Sequence, residues 1–132
     1  MTGVQTCALP ICELESASAL YRVLREALDD GFQIGPLQPV EGLVGLAAAA
    51  GGNWEVAEGH FRSTLAFVDE VGDRLGKPAV QKWYAWMLLR RNAAGDRDHA
   101  SVLLDEVITS CKAMGMLLSL GQAEAMRESL NG

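Results

Sequence analysis

Few side chains in this sequence are suited to chemistry, and their spacing is the first constraint. His60 and His99 are the only imidazoles. A zinc site needs three or four converging ligands. Cys111 lies about three helical turns beyond His99, too far for both to hold one ion from one helix. Asp69-Glu70 and Asp105-Glu106 are carboxylate pairs. Neighbours on a helix point in different directions, whereas an acid–base pair must meet across a cleft. No serine sits in a G-x-S-x-G elbow. The expectation is a non-catalytic chain with no catalytic residue, metal site or cofactor site, its histidines and acidic pairs solvated or at the core edge.

One cluster suits recognition. Trp83, Tyr84 and Trp86 are followed by Arg90. On a helix Trp83 and Trp86 share one side, and Tyr84 and Met87 another. Indoles and guanidinium groups are the commonest anchors at protein interfaces, and Arg90 can add a contact to a carboxylate. Trp83, Trp86 and Arg90 are therefore the candidate partner-binding residues. The competing expectation is that both sides are buried between neighbouring helices.

Six helices must position them. Apolar residues from Leu14 to Leu28 recur at three- and four-residue steps and predict a first helix over 13–30, stopped at Gly31. Pro36 and Pro39 precede a second, over 37–50, rich in Gly and Ala, whose small side chains admit a close neighbour. Asn53 is an expected N-cap for a third helix over 54–71, with Ala57, Phe61, Leu65, Val68 and Val71 on one face and Gly72 as its stop. A fourth runs over 78–93, with Val80, Tyr84, Met87 and Leu88 inward. Asp96 is the expected N-cap of a fifth over 97–114, stopped at Gly115, and a weaker sixth covers 117–130 with Leu117, Leu118, Leu120, Ala123, Met126 and Leu130.

The third and fifth helices match after a shift of 43 residues with no gap. Gly52 meets Gly95, Ala57 meets Ala100, Phe61 meets Leu104, Leu65 meets Ile108, Val68 meets Cys111, Val71 meets Met114 and Gly72 meets Gly115. Such a period is the mark of stacked helix hairpins, none of which can bury its apolar face alone. Gly31 suggests that the first helix closes an earlier unit. Cys111 at the place of Val68 reads as a small buried apolar residue.

Composition narrows the class. The chain has 132 residues, 49% of them hydrophobic, and a net charge of −6. An acidic balance without a basic stripe argues against nucleic acid, and no apolar run is long enough for a membrane span. Residues 1–11, MTGVQTCALPI, resemble the translation of a short-read sequencing adaptor and are set apart from the fold, which is expected over 12–132. That leaves Cys12 and Cys111, no disulfide framework, and an expected reducing, cytoplasmic setting.

Gly45, Ala57 and Phe61 resemble the small–small–aromatic pattern of tetratricopeptide repeats, and Leu88, Ala100 and Leu104 hold the same places one unit on. The period of 43 departs from the usual value of about 34, and Leu88 from the small-residue preference. Residues 42–116 are similar to the C-terminal helical region of bacterial LuxR-type, ATPase-coupled transcriptional regulators and of class III adenylate/guanylate cyclases. The YAWML string at Tyr84 and the GDRDHA string at Gly95 carry that likeness. The phosphate-binding loop, cyclase aspartates and DNA-reading helix of those parents are absent from this sequence. The resemblance implies an all-α fold of antiparallel helix hairpins in a right-handed solenoid, about two and a half repeats long. It implies a protein–protein interaction or regulatory module. Its partner would be a protein, a peptide or a neighbouring domain of the parent chain, and exposed repeat ends would favour self-association. The alternative is a purely structural cap on a longer solenoid.

Overall fold

A computed structural model describes residues 14–30 and 40–131. Its elements are α1 (Leu14–Asp29), α2 (Val40–Ala50), α3 (Trp54–Val71), α4 (Gly76–Arg91), α5 (Asp96–Met114) and α6 (Leu117–Ser129). No strand occurs among the described residues, so the fold class is all-α. The adaptor-like residues, Cys7, Cys12, the Gly31 stop, Pro36, Pro39 and the expected first turn of the second helix lie outside the described residues. No helix among the described residues is long and apolar enough to cross a membrane.

Each helix packs against the next in sequence, and α4 also touches both α2 and α6. The stops match at the level of hydrogen bonds. Gly72 and Gly115 both take the left-handed conformation, at φ 72° and 71°. The residue after each, Asp73 or Met116, donates its N–H to the carbonyl of Val68 or Cys111. This is the closing bond of a Schellman motif, and glycine permits it because a Cβ would be strained there.

The buried faces of α3 and α5 are equivalent at the same shift. Ala57, Phe61, Thr64 and Val68 are buried on α3, and Ala100, Leu104, Val107 and Cys111 on α5. Thr64 and Val107 take the places expected for Leu65 and Ile108, which are half-buried. The Thr64 hydroxyl donates to the His60 carbonyl at 2.6 Å, so a polar residue enters the core with its bond made. Val71, expected inward, is half exposed at 50%, because the helix ends beside it.

Two expected caps differ. Asn53 holds the N-cap position but its side chain makes no cap bond. Gly95 caps α5, and Asp96 is its first residue. The Asp96 carboxylate accepts the Ala93 N–H at 2.8 Å and two bonds from Arg91, so it is already engaged. On α6 only Ala123 is fully buried, and Leu117 and Leu118 are exposed. Close approach of α2 and α3 rests on Gly45, where a Cβ would meet the Ala57 carbonyl oxygen at 3.3 Å.

Candidate functional site

The site is built on α4, a helix packed on several sides. Val80, Gln81, Lys82, Tyr84, Ala85, Met87 and Leu88 are all buried. Lys77, Leu89 and Arg91 are half-buried, and one outward stripe holds Ala79, Trp83, Trp86 and Arg90, the first three half-buried and the last exposed. These positions recur at three- and four-residue steps and so fall on one face. Val80, on one flank, packs where Gly42 of α2 brings the backbones close. Lys82, on the other flank, reaches Gln122 of α6. The stripe therefore lies between α2 and α6.

The three sequence-derived residues are brought together. Trp83 and Trp86 meet edge to face, centroids 6.4 Å apart and planes at 83°. This is the favoured arrangement for two quadrupolar rings. The Arg90 guanidinium lies over the Trp86 ring at 5.3 Å, within cation–π range. Arg90 has no carboxylate partner among the described residues. Tyr84 and Met87 point the other way into the core, as the spacing implies.

A second cation lies buried beside this face. Lys82 is buried, its Nζ donates to Gln122 Oε1 at 2.5 Å and sits 4.6 Å from the Trp83 centroid. Burial lowers its pKa below the ordinary 10.5, an effect partly opposed by the nearby Cys111. The same burial pushes the Cys111 thiol up, so this cysteine is not poised as a nucleophile. No local pattern in the sequence marks Lys82, because Gln122 lies 40 positions away.

Behind the stripe, a polar network ties α3, α4 and α5. Arg91 donates to Glu58 at 2.8 Å and to both Asp96 oxygens at 2.8 and 2.7 Å. The Tyr84 hydroxyl donates to Glu58 at 2.8 Å. Its ring stacks on Phe61 at 5.5 Å and takes the edge of His99 at 5.1 Å. Hydrogen bonding to Arg91 is the main cause that holds both the Glu58 and Asp96 carboxyls below their ordinary range. Arg91, Glu58, Asp96 and Tyr84 are each hydrogen-bonded within this network, so it ties the three helices together.

His60 is half-buried between Tyr21 and Glu41, each 3.3 Å from a ring nitrogen. His99 is exposed. The acidic pairs lie on the surface, where Asp69 pairs with Lys77 and Asp105 with Arg127. No group of His, Cys, Asp and Glu suited to a metal occurs among the described residues. No family model matches the chain, and no curated protein or solved structure matches it.

Proposed function

We propose that this chain is a non-catalytic helical-repeat interaction module that binds a partner peptide or protein across the outward stripe of α4. The observation that carries the reading is the grouping of two half-buried indoles, Trp83 and Trp86, with the exposed Arg90 on one face of α4. Half-buried indoles beside a cation supply large, rigid contact area together with a polar handle. Arg90 gives that handle a positive sign within an acidic chain, so the partner segment carries a carboxylate near an apolar anchor.

The repeat reading supports this function. Two units 43 residues apart share their buried positions and their stops, and α2, α4 and α6 lie side by side while consecutive helices pair. We read this as antiparallel hairpins in a right-handed, tetratricopeptide-like solenoid whose groove is lined by the even-numbered helices. On the sequence resemblance, the module belongs to a larger bacterial regulator and transmits a signal by contact. A purely structural cap would carry short polar residues on this face, and two indoles count against it.

Selection from a displayed random-peptide library tests the reading. The wild-type chain should enrich peptides with an acidic residue near an aromatic or aliphatic one. Trp86→Ala and Arg90→Ala, with unchanged helicity, should each weaken the selected peptides about tenfold, as loss of an interface anchor does. Equal binding by the variants would remove the stripe from the function.

A further inference from the structure

A cavity of about 350 Å³ lies between α1 and α2, lined by Ser18, Tyr21, Arg22, Ala47, Ala48, Gly51 and Asn53. It does not depend on the α4 stripe. Its origin is visible in the repeat. At the shift of 43 residues, Ala48 and Asn53 correspond to Arg91 and Asp96. In the later unit Arg91 reaches from α4 across to Glu58 of α3. In the earlier unit a methyl group stands in that place, and the space between the helices stays open.

The walls define what would fit. Ala47, Ala48 and Gly51 supply its apolar side, with small side chains that leave room for a ring. The Tyr21 ring stands at its side, held by its hydroxyl at 3.3 Å from His60 Nε2. The rim carries the Arg22 guanidinium, which has no carboxylate partner among the described residues. It also carries the Asn53 amide, which makes no cap bond to its own helix. The cavity volume lies at the lower end of the range for small-molecule sites, which combine an apolar wall with a few converging polar groups. Among the described residues no carboxylate lines it.

We propose that the α1–α2 cavity binds a small aromatic carboxylate, its ring on the Ala47–Gly51 floor and its carboxylate at Arg22 and Asn53. Arginine offers a carboxylate two parallel donors, a geometry that an uncharged isostere of the same shape cannot use equally.

Amide NMR of the full chain titrated with benzoate and with benzamide tests the proposal. Benzoate should shift resonances of residues 18–22 and 47–53, and benzamide should bind roughly tenfold more weakly. Arg22→Gln, on an exposed side chain, should cost benzoate roughly that factor and leave benzamide unchanged. Ala48→Leu, which restores bulk at the place of Arg91, should abolish both. Ala48 is buried, so Arg22→Gln keeps the test decisive if Ala48→Leu does not fold. Equal affinity for the two probes, shifts confined to another region, an unchanged benzoate affinity in Arg22→Gln, or no shift up to about 10 mM benzoate would overturn it.

Discussion

Lys82 is the residue whose surroundings depart furthest from what its type prefers. A buried ammonium whose one hydrogen-bond partner among the described residues is an amide oxygen carries an unfavourable desolvation cost. Lys82→Met keeps the aliphatic stem and removes the charge, and should stabilise the chain by about 1 kcal/mol. The sign with pH follows from the lowered pKa. The unfolded chain holds this proton up to the ordinary 10.5 while the folded chain releases it earlier. Folded stability therefore gains as pH rises through that window, and the advantage of the Met variant should shrink there. Denaturant melts of both proteins between neutral and alkaline pH would show it, and a constant difference would contradict it. Glycine gives a second contrast at this scale. A Cβ at Gly59 or Gly121 meets nothing within 4 Å, so Ala at either should stabilise its helix by roughly 0.5–1 kcal/mol. Leu at Gly45 would strike the Ala57 carbonyl and should destabilise.

Among the elements, α4 depends most on its ties to others. Arg91→Ala leaves the buried Asp96 without its cation and Glu58 with the exposed Arg62 alone. The cost should be roughly 2 kcal/mol, between that of an exposed pair and a buried one. Glu58 and Asp96 have folded pKa values below their ordinary 4.5 and 3.8. Their contribution is complete above the ordinary values and is lost as pH falls through the lowered ones. Acid titration of stability should show that loss in the wild type and much less of it in Arg91→Ala. The elements themselves were largely legible. The bounds of α3 and α5 follow from glycine stops and apolar spacing, both local signals. The candidate stripe was legible for the same reason, since Trp83, Trp86 and Arg90 share one helix. Lys82 and the Glu58–Arg91–Asp96 network were not. Their meaning lies in partners far along the chain, with Glu58 33 positions from Arg91. Burial of Thr64 was hidden because a hydroxyl looks polar until its bond to the preceding turn is seen.

For the whole molecule, apolar side chains left exposed carry a further expectation. Leu75 and Leu118 are 43 positions apart, both at a helix start, and are 66% and 78% exposed. Leu117 beside them is 76% exposed. Sedimentation at rising concentration should show self-association, diminished by the double change Leu117→Ser and Leu118→Ser; an unchanging monomer boundary would contradict that. The shared stops and buried positions of α3 and α5 make the two hairpins one design used twice. They differ between the paired helices, where Ala48 lines the α1–α2 cavity and its counterpart Arg91 bonds to Glu58.

The most direct measurement is backbone hydrogen exchange of the full chain with and without a peptide from the library selection. Binding across the outward stripe predicts slowed exchange along residues 83–90 and in the facing parts of α2 and α6. It predicts no change at α1, and loss of the effect in Trp86→Ala. Protection centred on the α1–α2 cavity or on the Leu117–Leu118 end, with α4 unchanged, would contradict the account.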